Sequence, residues 1–393
     1  MNNYQTDRLG AYRMCASHVY YPDREGMIKI ALSHKQYRED NEVMTLLDVS
    51  TTQKKKIDCM VKAIWLSNIC VLVVDVTKGV FEKDINNSIG NMRTHLQIAA
   101  AVGLTHLVVC LTKCDTIPVI ELNSRLEEIR SKLKTILLWK NVPFIPICYD
   151  RDENIFKPTT GEFSKGKSLE SVLKAIQVEP RKEWIEKPLM MVIFQIYRIG
   201  GIGTVVAGKI ITGKIKTDQQ VYFRDDSSHL VKSIEIGYEH RDLVVCGEFC
   251  GINIKQASVR DVETHFIIHD QAYLESEKKA VESFTALIKI MNQPKNGIKV
   301  GYTFKLYNCV TNQCLCKIED ILATVNPKTN QKLETYPNKL KKGDFAEVRL
   351  KPLITKENKA CYLHTFEQND ILGRVILMNG KQIIGAGKVL RIN

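Results

Sequence analysis

No uncharged apolar run in this chain approaches the roughly 18 residues that a membrane-spanning helix needs, and the run Ile69–Val74 stops at Asp75. The opening MNNYQTDRLG lacks the apolar core of a secretory signal. A cytoplasmic chain with no membrane partner is therefore expected. No two of the twelve cysteines form a CxxC pair. They are scattered along a long chain, which fits small reduced thiols better than a disulfide framework. Close spacings such as Cys246 with Cys250 and Cys314 with Cys316 lack a second ligand pair, so no metal site is expected. Internal repeats and low-complexity tracts are also missing. With 44% apolar and 25% charged residues over 393 positions, the chain can bury ordinary cores, and its length suggests two or three domains.

Positive charge is in surplus. Lys and Arg number 56 against 44 Asp and Glu, a net +12. From Val281 to the end there are 18 basic and 9 acidic residues, so most of the excess lies in this last stretch. A surplus so concentrated points to a surface that meets a polyanion.

Up to about Pro180, short apolar strands alternate with amphipathic helices. Strands read at Met27–Leu32, Val43–Asp48, Ile69–Val76, His106–Thr112 and Phe144–Cys148, and helices near Lys54–Leu66, Asp84–Val102, Glu121–Leu138 and Ser168–Ile176. Strand then helix, repeated, predicts a mostly parallel α/β sheet. After the charged connector Glu179–Glu183 the helical period disappears. Strand-length runs separated by Gly, Asn and Asp take over, and two successive β-barrels are the natural packing. The expected organisation is an α/β domain over 1–183, a barrel over 184–277 and a second barrel over 278–393.

Specific segments carry a resemblance. Gln195–Asp218, QIYRIGGIGTVVAGKIITGKIKTD, is similar to a segment of the translational GTPase family, nearest to its elongation factor 1-alpha branch. VGYTF (300–304), KLKKGDFAEVRL (339–350), ILGRVIL (371–377) and the closing IIGAGKVL resemble the same family. So, more faintly, do LLDVSTT (46–52), SNICVLVVDVTKGVFE (67–82) and HLQIAAAVGLTHLVVCLTKCD (95–115). The resemblance runs in order over about residues 24–393. It implies a P-loop GTPase-like α/β domain, in degenerate form, followed by two β-barrel domains.

A member of that family needs a glycine-rich loop ending in Gly-Lys-Ser/Thr, in which backbone N–H groups cradle phosphates, Lys neutralises charge and the hydroxyl holds magnesium. No GxxxxGK[ST] occurs here. Ser17–Arg24, SHVYYPDR, is the best positional candidate. In that alignment Pro22 replaces the glycine, Asp23 the lysine and Arg24 the hydroxyl. Met27 stands where the first switch's threonine belongs. Asp48-Val49-Ser50-Thr51-Thr52 stands for Asp-Ala-Pro-Gly-His, with only Asp48 kept. These departures lead to the expectation of a pseudo-GTPase: not an enzyme, with no cofactor beyond weak guanine-nucleotide binding. Thr112-Lys113-Cys114-Asp115 fits the base-reading [NT]KxD motif, in which Asp115 would accept both hydrogens of guanine's edge. Thr112, Lys113, Asp115 and Asp48 are thus read as vestiges of a nucleotide site, with Cys148-Tyr149 in place of the small residues that close over the base.

In the resembled family the first barrel docks on the ribosome and holds the aminoacyl end of tRNA, and the second contacts the tRNA T-arm. The matching candidates for RNA phosphates are Arg198, Lys209, Lys214 and Lys216 in the first barrel, and Lys339, Lys341, Lys342, Arg349 and Lys351 in the second. Gln195 and Gln293 stand where Asp and His are expected. The resemblance implies the ribosome, through rRNA at its factor-binding site, as partner, and no DNA. Three functions stay open: a ribosome-bound factor that restrains translation, in the manner of ribosome hibernation; a carrier of tRNA or of a release-factor-like protein off the ribosome; and a residual GTPase.

Overall fold

The computed structural model describes residues 57–393, apart from 87–90, 149–150, 152, 157, 159–165, 179–180, 224–226, 238, 256, 258–266, 277–280, 295–296, 310–313, 354–360 and 381, together with four earlier strands: Tyr21–Pro22, Ile28–Lys29, Ser33–Glu39 and Glu42–Asp48. The chain forms an α/β domain followed by closed β-barrels.

Three parallel strands, Ile69–Asp75, His106–Thr112 and Phe144–Pro146, lie side by side in that order. The central strand is buried from Leu107 to Leu111, as a covered parallel strand is, while the flanking strands alternate between buried and half-buried residues. Val74, Val109 and Leu111 lie at the centre, against Leu96 from helix Asn91–Val102 and Leu122, Leu126, Ile129 and Leu133 from helix Val119–Lys134. Of the helix expected over Asp84–Val102, the structure describes Val80–Asn86 and Asn91–Val102, and residues 87–90 lie outside the described residues. The strand expected over Met27–Leu32 is described only at Ile28–Lys29.

Inside this domain a guanidinium is buried. Arg125, on helix Val119–Lys134, is 4% exposed. Its Nε donates to the carbonyl of Val76 at 2.9 Å, and its terminal nitrogens reach the Thr77 carbonyl, Glu82 (2.7 Å) and Glu128 (2.8 Å). A guanidinium has five donors in a rigid fork, so one side chain can pin a loop and a helix start together. Here it fixes the turn that leaves strand Ile69–Asp75.

The first barrel closes through six antiparallel strands. The ring runs Met190–Ile199, Gly203–Thr212, Phe249–Ile254, Ser228–Ile236, Gln220–Tyr222, Ile267–His269 and back to Met190–Ile199. Its interior holds Met191, Ile193, Val206, Ile210, Phe223, Ile234 and Ile252. At Gly208 an added Cβ would lie 2.2 Å from the Val192 carbonyl, so only glycine permits this close approach of neighbouring strands. The second ring runs Phe284–Ile290, Phe345–Pro352, Cys314–Val325, Thr303–Tyr307, Arg374–Asn379, Gln382–Ile392 and back. Phe284, Phe304, Ile318, Val348, Leu350 and Leu377 fill it, and Cys314 and Cys316 pack there as small apolar residues. Closure leaves no open edge within either ring.

The segment ahead of the first barrel is tied to the second. Arg181 makes a two-point pair with Asp370 and stacks 4.2 Å from the centre of the Trp184 ring, while Lys187 donates to the Gln368 carbonyl. An unanticipated short helix, Gln271–Ser276, follows the last strand of the first barrel; Asp270 accepts the N–H of Tyr273 at its start.

Arg125→Met should destabilise the chain by about 1–3 kcal/mol, since it leaves the Val76 and Thr77 carbonyls without their donor, while the paired Glu82 is partly exposed and regains water. The same pair sets an acid dependence. The Arg125 hydrogen bond pulls the Glu82 carboxyl from 4.5 to about 2, so its contribution is complete above about pH 4.5 and fades as pH falls toward 2. Urea melts of the parent and of Glu82→Gln between pH 6 and pH 3 should therefore converge with acid; a gap constant in pH would refute the assignment.

Candidate functional site

The carboxyl ends of the three parallel strands come together, the place where open α/β sheets bind ligands. Asp75 ends the first strand, Thr112 the second, and Cys148 follows the third. Lys113 sits just past Thr112 in a left-handed conformation (φ 62°), which turns the chain into the short helix Cys114–Thr116 and leaves Asp115 exposed. Cys114 is buried and its thiol donates to the Leu111 carbonyl, which anchors that turn from below.

Two further contacts give the turn its shape. The Lys113 ammonium lies 2.6 Å from the Asp75 carboxylate, which is 4% exposed and also accepts the Thr77 N–H at 2.9 Å. Burial pushes the Asp75 carboxyl up, but the Lys113 and Thr77 hydrogen bonds together outweigh it and hold the group below its ordinary value. The Cys148 thiol donates to Asp115 Oδ1 at 3.3 Å. Burial and the neighbouring Asp115 charge raise its pKa, so it stays a protonated donor. Asp115 is thus held from the side while its remaining acceptor capacity faces solvent, the arrangement needed to take two N–H donors from a flat heterocycle.

Thr112, Lys113 and Asp115 therefore assemble into one loop. Asp75 is the residue that sequence reasoning missed: it ends an apolar run whose neighbour in parallel register is Thr112, so its meeting with Lys113 was readable from register alone. Asp48 closes strand Glu42–Asp48. The positions of the expected phosphate loop, Ser17–Arg24, lie outside the described residues except for strand Tyr21–Pro22, and so do Met27 and Val49–Thr52.

The barrel candidates divide. Arg198, Lys214, Lys216, Lys339, Lys341, Lys342 and Lys351 are exposed and Arg349 is partly exposed. Lys214 pairs with Glu186 at 3.1 Å, and Lys351 lies 3.8 Å from Glu319. Lys209 is a correction. It is buried, and desolvation pulls its pKa down to about 8, with Arg181, Cys246 and Cys309 in its surroundings, so it cannot meet an RNA phosphate. The strand Gly203–Thr212 is buried on successive residues from Val206 to Thr212, and the inward-outward alternation that would expose Lys209 does not apply there. The substituted Gln293 takes a structural part, accepting the Lys342 N–H at 2.6 Å and bracing the turn that presents the lysines. Gln195 accepts the phenol O–H of Tyr197 at 2.8 Å.

Comparison with known proteins adds the family. The elongation factor Tu GTP binding domain matches residues 17–236, and the GTP-eEF1A C-terminal domain-like family matches 283–390. Elongation factor 1-alpha of Tetrahymena pyriformis is 30% identical over 377 residues, covering 94% of this chain and 84% of the relative. That of Thermoplasma volcanium is 28% identical over 373 residues, with the same coverage of 94% and 84%. In fold, the chain is similar to the elongation factor SelB of Methanococcus maripaludis solved with the GTP analogue GPPNHP (TM-score 0.68, 17% identity, 93% of this chain and 74% of that one). It is also similar to the S. cerevisiae Ski7 GTPase-like domain solved with GDP and phosphate (TM-score 0.66, 17% identity, 91% and 82%). Among the described residues no helix is long and apolar enough to cross a membrane. The expectation that the chain is not an enzyme is overturned: the matched GTP-binding domain spans the very segment in which a phosphate loop was held to be lost, and the relatives are elongation factors. The inference had rested on the absent GxxxxGK[ST] string and on the departures at Met27 and at Val49–Thr52, whereas a phosphate cradle is built from backbone N–H groups that other loop sequences also supply. With its GTP-binding domain and eEF1A-type C-terminal domain both matched in order, this chain belongs to the translation elongation-factor family of GTPases.

Proposed function

We propose that this protein is a guanine-nucleotide-binding translation factor that docks through its two barrels at the elongation-factor site of the ribosome and, when abundant, restrains translation by occupying that site. The observation that carries the docking is the exposed basic set on the barrels, centred on Lys339, Lys341 and Lys342, whose turn is braced by Gln293 and by Asp344 at the Lys341 N–H. Rigid backbone with solvent-facing ammonium groups is what recognition of a folded RNA's phosphates needs. Restraint follows from geometry: two factors that share one footprint exclude each other. The nucleotide reading rests on the loop of Lys113 and Asp115, held by Asp75 and Cys148.

Sedimentation with vacant ribosomes tests the docking. Replacing Lys339, Lys341 and Lys342 together by Glu should abolish co-sedimentation at near-physiological salt and lower the slope of log affinity against log salt by about 2, because each neutralised phosphate releases a counterion. The two backbone hydrogen bonds of the turn do not involve the replaced side chains, so the melting temperature should hold. Retained binding would overturn the reading.

Calorimetric titration tests the base site. Asp115→Asn should weaken GDP and favour xanthosine diphosphate, whose second carbonyl accepts from the new amide where guanine's amino group donated to the carboxylate. Cys148→Ser should keep GDP affinity, and Cys148→Ala should weaken it roughly fivefold, the loss of about one hydrogen bond. Equal GDP affinity in Asp115→Asn and parent would remove Asp115 from the site.

A further inference from the structure

The hairpin strand Lys332–Thr335 flanks the second barrel's ring, pairing with Ala323–Val325, and each of its four residues is exposed. At its end Tyr336 holds φ 51°, the left-handed region that a bulky side chain rarely enters, and its N–H is fixed to the Leu322 carbonyl at 3.1 Å. The Tyr336 side chain gains no burial in return, for the residue is 69% exposed, and Leu333 beside it is 67% exposed. Between residues 327 and 343 stand five lysines, Lys328, Lys332, Lys339, Lys341 and Lys342, all exposed, against the single carboxylate of Glu334. Backbone strain that survives at an exposed aromatic, with no packing to repay it, is the mark of a residue kept for what it touches.

We infer that Tyr336 is a stacking platform for an unpaired base of ribosomal RNA, with the surrounding lysines taking the flanking phosphates. An aromatic ring held out from the surface offers a flat face to any base, and single-stranded nucleic acid is bound by this pairing of stacking rings with a basic track. The lysine excess makes the patch complementary to a polyanion and unsuited to a basic or neutral peptide. The inference deepens the docking reading and rests on it only for the source of the RNA.

The test uses the full chain with three substitutions and two probes, a fluorescein-labelled single-stranded A10 RNA and vacant ribosomes, with a blunt RNA duplex and deacylated tRNA as controls. Tyr336→Phe keeps the ring and should bind both probes as the parent does. Tyr336→Gly relieves the left-handed strain, so it should melt no lower than the parent while losing affinity for A10 and for ribosomes roughly 5- to 150-fold, the range expected for one stacked base. Tyr336→Ala should lose binding equally. Duplex binding, which runs on phosphates alone, should not change. The proposal falls if Tyr336→Gly binds A10 as the parent does, if Tyr336→Phe loses as much as Tyr336→Gly, or if the loss is confined to tRNA. If the parent fails to sediment with ribosomes while A10 still discriminates Tyr336→Gly, the docking reading and the ribosomal source fall and the stacking platform stands.

Discussion

A buried guanidinium governs the geometry of the candidate nucleotide site. Arg125 reaches from one helix to the carbonyls of Val76 and Thr77 and to Glu82, and so decides where the chain goes after strand Ile69–Asp75. Asp75 lies immediately before that turn. With its position set, Asp75 can accept from Thr77 and hold Lys113, and Lys113 in turn begins the turn that carries Asp115. The order of dependence runs from a charge in the interior to a carboxylate at the surface. The parallel pairing of Asp75 with Thr112 sets the relation of the two strand ends, and Arg125 holds in place the turn that follows Asp75.

The barrels meet a different constraint. Closing six strands into a ring removes open edges, and beside the register irregularity between Ile193 and Gln195 the neighbouring backbones come so close that Gly208 faces the Val192 carbonyl with no room for a side chain. Once each interior is filled, charge can only go outward or into a covered seam. Lys341 and Lys342 went outward; Lys209 went inward to a buried position near Arg181 and Cys309, where desolvation lowers its pKa to about 8. The same residue type on two barrels of the same architecture therefore has opposite chemical meaning.

Much of this was legible in the sequence. The three parallel strands follow from apolar runs spaced by amphipathic helices, and TKCD fell at a strand end because the apolar run His106–Leu111 stops there. The barrels were legible because short strands with turn residues at regular intervals have few other ways to pack. What escaped was set by contacts between segments far apart in the chain. The burial of Lys209 depends on what covers its strand from outside, and the seam role of Arg181 on Asp370, 189 residues away. The bracing of the lysine turn by Gln293 spans 49 residues. Local pattern carries no information on any of these. The left-handed turn at Tyr336 was hidden for another reason: propensity assigns such a backbone to Gly or Asn, and a tyrosine there contradicts the local rule.

That contradiction and the missing phosphate-loop string bear differently on function. A string is one solution to a physical requirement, and its absence shows only that the usual solution is not written; the family match across residues 17–236 outweighs it. A strained residue is a cost visible in the folded chain, and it needs a compensating gain somewhere. Asp115 shows the intermediate case. It is exposed and anchored on one side by a cysteine thiol, a weaker donor than a hydroxyl, so its orientation is held with less energy than a serine in that place would give. The placement of Asp115 then depends more heavily on the backbone turn begun by Lys113. The Asp75 ion pair, one link removed from Arg125, is accordingly the contact on which the position of Asp115 rests.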